Sequence, residues 1–244
     1  MITKKYKIAE RVIEISSINE AVHRLCKEYE SDENADFSVK ITPDDIVYEK
    51  KKTDSEYAYE GLPLPDFSEG VLEETAVYRK IAEKMVDYDT FVFHGSAIAV
   101  DGKGYLFTAK SGTGKSTHTR LWREYFGDKA VMINDDKPMI RVTDSGAVIY
   151  GTPYNGKHHL GTNIAVPLKA ICILERGEEN HIVRISRSQA YAMLLQQVYR
   201  PKDTLQMLKT LRLVDKMAEK TELYNLACNM DIEAAEVAYN AMKG

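Results

Sequence analysis

A lysine–serine pair, Lys115-Ser116, follows the two glycines Gly112 and Gly114, and the apolar run Tyr105 to Thr108 precedes them. Glycines allow positive φ and turn several N–H groups toward one point, where a following helix adds roughly half an elementary positive charge. A lysine at this spacing contacts the β and γ phosphates of a nucleotide, and the serine hydroxyl binds Mg²⁺. We therefore predict a P-loop that binds ATP and Mg²⁺ through Ser111, Gly112, Thr113, Gly114, Lys115, Ser116 and Thr117.

One position departs from the usual P-loop pattern. Ala109 stands where the first glycine is expected. A small residue still fits there, so we interpret the segment as a variant of the motif. The alternative is a glycine-rich turn between strand and helix that binds no ligand.

Two adjacent carboxylates, Asp135-Asp136, end the apolar run that begins at Val131. An acidic pair at the end of a strand is typical of Mg²⁺-dependent phosphoryl transfer, in which one carboxylate supports the metal and the other accepts the proton of a hydroxyl. Asp135 follows Lys115 by only twenty residues, room for a single helix. We expect the strands before the P-loop and before the acidic pair to be neighbours in the sheet. The alternative is that Asn134-Asp135-Asp136 only forms a turn.

The pattern of apolar and turn residues divides the chain into two parts. Two prolines and a glycine between residues 61 and 66 predict a linker. We expect a small α+β module over residues 1–66 and a P-loop domain with a helical C-terminal tail over residues 67–244.

The strand before the P-loop is expected to be the second arm of a hairpin. The apolar run Phe91 to Val100 predicts one strand, and Asp101-Gly-Lys-Gly104 has the residues of a hairpin turn. Most P-loop strands instead belong to a parallel β-α-β series. The predicted fold class is therefore α/β with a mixed or antiparallel sheet around the P-loop.

Composition excludes several classes of protein. The net charge is −4, which gives no sign of a general affinity for nucleic acid or for anionic membranes. The three cysteines are far apart and lack metal-ligand spacing, which favours a reducing compartment. Neither a signal peptide nor an apolar run long enough to cross a membrane is recognisable, so we expect a cytoplasmic protein.

Three motifs in this order resemble the HPr kinase/phosphorylase family, whose P-loop domain is related to that of ATP-dependent phosphoenolpyruvate carboxykinase. They are His94-Gly95, the segment Ser111 to Ser116, and Asp135-Asp136. The resemblance covers about a third of the chain. It implies that Lys115 contacts phosphate, that Ser116 binds Mg²⁺, and that Asp136 accepts the proton of a serine hydroxyl. From the position of the acidic pair one helix beyond the P-loop, we expect Asp135 to support the metal. The resemblance places His94 beside the reacting groups, although a histidine on an apolar strand is also common as a hydrogen-bonded core residue.

The chain also departs from that family. We find no match to the glycine-rich catalytic segment, with its Glu-Arg pair, that follows the acidic pair in HPr kinases. Instead, residues 151–161 are rich in turn residues and carry Lys157, His158 and His159. We expect a mobile loop that closes over the γ-phosphate, with Lys157 touching the transferring group. The alternative is a solvated surface loop.

The sequence thus predicts an ATP- and Mg²⁺-dependent kinase that phosphorylates a hydroxyl, on a serine of a protein or peptide or on a small molecule. The phosphoacceptor, any reverse reaction, the oligomeric state and the division of roles between Asp135 and Asp136 stay open. One alternative is a regulatory module that binds a nucleotide without group transfer. A carboxykinase-like lyase is a further alternative, and it fits less well because the ligands for a second metal and a dicarboxylate cannot be assigned.

Overall fold

The computed structural model describes residues 1–59, 61–156 and 158–244. The chain divides into two compact units, Met1–Lys84 and Met85–Gly244. The helix Glu69–Met85 follows the predicted boundary, yet nearly all of it is grouped with the first unit. The domain boundary at residue 66 stays a prediction.

The first unit contains a three-stranded sheet and two long helices. The first two strands form a hairpin whose turn residues Ala9 and Glu10 have positive φ, and the third pairs parallel with the second. On the long helices, Arg79 forms ion pairs with Asp45 and with the buried Glu49. The elements are β1 (Ile2–Ile8), β2 (Arg11–Ser17), α1 (Ala21–Leu25), β3 (Phe37–Lys40), α2 (Pro43–Tyr59) and α3 (Glu69–Met85).

The second unit is a curled mixed sheet with helices on both faces. Its elements are β4 (Thr90–Val92), β5 (Ser96–Val100), β6 (Lys103–Thr108), α4 (Lys115–Phe126), β7 (Ala130–Asn134), β8 (Met139–Thr143), β9 (Gly146–Tyr150), β10 (Ala165–Arg176), β11 (His181–Arg184), α5 (Arg187–Gln197), α6 (Thr204–Lys220), β12 (Glu222–Cys228) and α7 (Glu233–Met242). The strand order is β4-β8-β9-β10-β6-β5-β7, with β12 beside β10 and β11 beside β12. The expected mixed sheet is confirmed.

Apolar side chains on both faces of the strands explain the layered packing. Tyr105 and Phe107 of β6 pack in one core with α4 and α7, whereas Leu106 between them packs in a second core with α5 and α6. Successive side chains of a strand point to opposite faces, so a strand covered on both sides is apolar throughout. Among the described residues, no helix is both long and apolar enough to cross a membrane.

The predicted hairpin is confirmed, but the predicted strand Phe91 to Val100 is wrong in extent. The turn residues Asp101 and Gly102 have φ of 51° and 71°, and β5 pairs antiparallel with β6. The chain breaks between β4 and β5, because β4 pairs with β8 while β5 pairs with β6. At the break, a Cβ on Gly95 would lie 2.9 Å from the carbonyl oxygen of Phe107, so only glycine fits.

The expectation that β6 and β7 are neighbours is also wrong. Strand β5 lies between them and is antiparallel to both. Strands β6 and β7 therefore run in the same direction, and their C-terminal ends lie at one edge of the sheet, roughly 10 Å apart for two strand spacings. Strands β10 and β12 run parallel to β6 and end at the same edge.

Candidate functional site

The segment between β6 and α4 turns sharply at its glycines. Gly112 and Gly114 have φ of 75° and 123°, as their place in the sequence predicts. Ala109 is fully buried in the core beside α4, which accounts for a small side chain at this position. Helix α4 begins at Lys115 with no side-chain cap hydrogen bond and no acidic residue in its first turn. Its first N–H groups and the positive end of its dipole thus face the Gly-rich loop, residues 109–114.

The side chain of Lys115 reaches back over this loop. Its Nζ lies 3.4 Å from the carbonyl oxygen of Ala109. Burial lowers the pKa of Lys115, and the nearby charges of Asp136 and Asp135 oppose this shift. A half-buried ammonium therefore lies close to both carboxylates at the edge of the sheet.

The other loop residues are more open to solvent. Ser111 and Ser116 are exposed, while Thr113 and Thr117 are half-buried. The N–H of Thr113 donates to the carbonyl oxygen of Lys110. The Ser116 hydroxyl, in the first turn of α4, is thus accessible at the edge where the acidic pair ends β7.

The two aspartates have different surroundings. Asp135 is buried, and its Oδ1 accepts a 2.6 Å hydrogen bond from Ser96, whose hydroxyl also lies 2.8 Å from that of Thr119 on α4. Asp136 is more exposed, and its Oδ1 lies 3.4 Å from Nε2 of His94. Asp135 is thus fixed in place, while Asp136 is partly open to solvent and lies between His94 and Lys137, whose Nζ is 3.5 Å from its Oδ2.

His94 lies beside the end of β6. Its backbone N–H donates to Gln197 at 2.7 Å, and its carbonyl oxygen accepts from the hydroxyl of Thr108, the last residue of β6. Burial and, next, the positive charge of Lys115 lower the pKa of His94, while Asp136 opposes the shift. The structure therefore brings His94, Lys115 and Asp136 together, and it favours a neutral imidazole beside Asp136.

Asn134 organises the acidic turn. Its Oδ1 accepts hydrogen bonds from the N–H groups of Asp136 and Lys137, at 2.9 and 2.7 Å. Its Nδ2 donates to Oγ1 of Thr152 at 3.0 Å. Because this buried amide is hydrogen-bonded both to the turn after β7 and to Thr152 after β9, it holds the backbone of Asp136 in place. Sequence reasoning treated Asn134 as turn chemistry and missed this positioning role.

The segment 151–161 is attached to the acidic strand at both ends. A Cβ on Gly151 would lie 2.8 Å from the carbonyl oxygen of Ile133 in β7, so only glycine fits there. Near the other end, the carbonyl oxygen of Leu160 accepts from the N–H of Asp135. Gly156, with φ of 73°, packs against Asp136, since a Cβ there would lie 3.0 Å from Asp136 Cβ. The segment therefore lies beside the candidate base.

The structure describes two of the three cationic residues predicted to act in this segment. His158 and His159 are exposed, and His159 has a φ of 50°. Lys157 lies outside the described residues. The closing motion and the contact of Lys157 with a phosphate stay predictions.

The donor set at this edge fits a magnesium ion bound together with phosphates. No group of three or more histidine, cysteine or acidic side chains suited to hold a metal by itself occurs within the described ranges. Mg²⁺ commonly takes only one or two carboxylates and completes its shell with water and substrate phosphates. The hydroxyl of Ser116 and the carboxylate of Asp135 are the oxygen donors expected for such a site.

A comparison with models of known protein families identifies the family of this chain. Residues 65–237 match the family model described as "ScmC: SynChlorMet cassette protein ScmC". The chain belongs to the ScmC family. The matched region contains the Gly-rich loop, the acidic turn and the segment 151–161, so the complete candidate site lies in the part that defines the ScmC family.

Comparison with solved structures found a distant similarity. The HPr(Ser) kinase/phosphatase from Coxiella burnetii aligns with a TM-score of 0.34 and 10% identity, covering 63% of this chain and 99% of that one. At this TM-score the similarity carries no conclusion about this ScmC family member. A search of curated proteins found no match to the sequence.

Sequence reasoning also missed Ser96 and Thr119 in this ScmC family member. Both are fully or almost fully buried polar residues. Thr119 follows Lys115 by four residues, a spacing that places both side chains on the same face of α4. This spacing is the one sequence signal that could have indicated Thr119. Ser96 gave no such signal, because its contact with Asp135 depends on the pairing of β5 with β7.

Proposed function

We propose that this chain is an ATP- and Mg²⁺-dependent kinase that transfers the γ-phosphoryl group to a hydroxyl. The observation that carries the proposal is the position of Asp136, which lies beside His94 and close enough to Lys115 to shift its pKa. A carboxylate beside a half-buried ammonium, at the edge where a Gly-rich loop opens, is what phosphoryl transfer to a hydroxyl requires.

Each residue has one role in the proposed reaction. The N–H groups of the Gly-rich loop hold the β and γ phosphates, and Lys115 neutralises their charge. Asp136 takes the proton of the acceptor hydroxyl while the hydroxyl oxygen forms a bond to the γ-phosphorus. The bond between that phosphorus and the β–γ bridging oxygen breaks, and ADP leaves with the electron pair. Bound Mg²⁺ would offset the charge that develops on the phosphate oxygens.

The proposal includes the finer assignments made from the sequence. The Gly-rich loop is the P-loop of a domain of the HPr kinase and phosphoenolpyruvate carboxykinase type, Ser116 and Asp135 hold Mg²⁺, and the protein works in the cytoplasm on a protein, peptide or small-molecule hydroxyl. The half-buried position of Lys115 supports the phosphate contact, and the fixed carboxylate of Asp135 supports the Mg²⁺ site.

The test is transfer of ³²P from γ-labelled ATP into a cell lysate and into a metabolite pool, with release of ADP measured in parallel. The Asp136→Asn variant should lose transfer while it still binds ATP. Asp128→Asn is the matched control, because Asp128 is an exposed aspartate beyond the end of α4. If labelled product and ADP form equally with wild type and Asp136→Asn, the proposed base is excluded. Failure of the folded wild type to bind ATP would exclude the function itself.

A further inference from the structure

A cavity of about 510 Å³ lies beside the Gly-rich loop, on the second unit alone. Its volume falls in the range of roughly 300–1,000 Å³ that is typical of small-molecule sites. One wall is the loop itself, and the opposite wall comes from the ends of β10 and β12. These strand ends lie at the edge where the candidate kinase site is found, and open α/β sheets bind ligands outside the carboxyl ends of their strands.

The walls combine apolar side chains with several polar and charged ones, among them Glu175 and Asn229. Leu121, Leu174 and Met230 supply apolar surface. Arg176, also in the wall, donates from Nη2 to the carbonyl oxygen of Gly112 at 2.7 Å and so joins the end of β10 to the loop. Such a cavity suits a flat aromatic group with a few hydrogen-bonding atoms.

One lining residue carries an unused hydrogen-bond donor. His118 is only 2% exposed, and its Nε2 accepts from Nε1 of Trp122 at 3.1 Å. Because Nε2 accepts, the proton of a neutral ring is on Nδ1. Nδ1 has no hydrogen-bond partner in the part of the chain that the structure describes. A buried donor without a partner costs about 1–3 kcal/mol, which an acceptor atom on a ligand would recover.

The cavity continues the proposed phosphate site. Gly112, Thr113 and Gly114 line the cavity, and the same residues would hold the phosphates. Thr117, in the first turn of α4, also lines it. A nucleoside joined to phosphates in the loop would therefore have this cavity within one ribose of its α-phosphate.

We propose that this cavity binds the base of the nucleotide, with Nδ1–H of His118 donating to an acceptor atom of the base. The inference rests on the proposed binding of a nucleoside triphosphate. It adds a base-binding residue that no phosphate-binding pattern predicts, and it makes affinity depend on the nucleoside as well as on the phosphates.

The native cysteines provide the first test. Cys228 lines the cavity and is half-buried, whereas Cys26 and Cys172 are buried. Burial raises the pKa of the Cys228 thiol, so maleimide labelling is measured at about pH 8.5 on the full chain. ATP at ten times its Kd should slow labelling about tenfold, because about a tenth of the protein is free. Inorganic tripolyphosphate, which has phosphates but no base, should leave the rate unchanged. A Cys228→Ser variant confirms which thiol reacts.

Two variants give the second test, by calorimetry with ATP and tripolyphosphate. His118→Phe removes the donor and should weaken ATP binding about 3- to 10-fold while tripolyphosphate binding is unchanged. Should that buried variant fail to fold, Met230→Trp narrows the cavity from a position that is 76% exposed and should have the same selective effect. Leu208→Trp, on an exposed site of α6 outside the cavity wall, is the matched control.

The outcomes separate this inference from the proposed function. If ATP and tripolyphosphate bind but protect Cys228 equally, or if ATP binds without any protection, the base lies elsewhere and the inference is overturned while the function stands. If neither compound binds the folded protein, both are overturned. Selective protection by ATP together with a selective loss in the cavity variants supports both.

Discussion

Ser96 donates a 2.6 Å hydrogen bond to the buried carboxylate of Asp135 and thereby gives the two adjacent aspartates different surroundings. One oxygen of Asp135 is occupied by a neighbouring strand, so its carboxylate is suited to hold a metal in a fixed position. Asp136 has no such restraint on β5 and lies against His94 instead.

The two aspartates should therefore respond differently to amide substitution. Asp136→Asn should lower turnover by ~10² or more and leave ATP affinity unchanged, because general-base contributions are typically 10² to 10⁴. Asp135→Asn should raise the Mg²⁺ concentration needed for half-maximal turnover. Steady-state kinetics over a Mg²⁺ titration measures both. If Asp135→Asn abolished turnover without changing the Mg²⁺ requirement, the two roles would have to be exchanged.

Lys115→Ala should weaken ATP binding by about 2 kcal/mol or more, since hydrogen bonds to charged groups contribute about 1.5–3 kcal/mol. The fold should persist, because burial already disfavours the charged form of this side chain. Calorimetry measures the affinity, and Lys129→Ala, at an exposed lysine beyond α4, is the control. Equal ATP affinity in folded Lys115→Ala and wild type would contradict the phosphate contact.

Asn134→Ala should destabilise the protein by roughly 2 kcal/mol or more, because it leaves the N–H groups of Asp136 and Lys137 without their acceptor. Asn134→Asp keeps the acceptor oxygen but loses the donor to Thr152. It should retain more stability than the alanine variant while turnover still falls, because the acidic turn loses its side-chain bond to Thr152, although it keeps the backbone bond from Asp135 to Leu160. Chemical denaturation and turnover are the two measurements. Wild-type turnover in a stable Asn134→Asp variant would assign Asn134 a purely structural role.

Lys157→Ala should lower turnover at saturating ATP with little change in ATP affinity, the pattern of a contact made only in the transition state. Its neighbour Gly156 packs against Asp136, the proposed base, so the segment lies beside the proposed site. Single-turnover kinetics provides the rate, and Lys129→Ala serves again as control. An unchanged rate would return residues 151–161 to the interpretation of a solvated surface loop.

The buried imidazole of His118 should make stability sensitive to acid. Its pKa falls from an ordinary 6.5 to about 3 in the folded state, so below pH 6.5 the unfolded chain binds a proton that the folded chain does not. Stability is full above pH 6.5 and is lost as the pH falls toward 3, with a slope of about 1.4 kcal/mol per pH unit for one proton.

His118→Phe should reduce the slope by the contribution of this one proton, whereas His23 and His94, whose pKa values burial also lowers, keep their contributions. Denaturation followed by the fluorescence of Trp122, the single tryptophan, measures it between pH 7 and 4.5. His181→Gln, at an exposed histidine of β11, is the control and should keep the wild-type slope. Parallel pH dependence in wild type and His118→Phe would show that His118 is not the group responsible.

The sequence predicts those parts of the site that depend on local pattern. The glycines of the loop, the β5–β6 hairpin and the acidic end of β7 follow from residue type and spacing over a few positions, because turns and strand ends are local structures. The contacts of Ser96 with Asp135 and of Asn134 with Thr152 could not be predicted in this way. They depend on which strands become neighbours, and the placement of β5 between β6 and β7 was not recognisable from the spacing between Lys115 and Asp135.

The narrow turn at Asp101 and Gly102 has a consequence for how the protein folds. The contacts that join β5, β6, α4 and β7 span only residues 96–134, so loop closure costs little and this region can form early. Strand β12 must instead join β10 from about fifty residues further along the chain. We expect the loop and acidic turn to acquire native structure first, and the cavity that needs both β10 and β12 to close in the last step of folding.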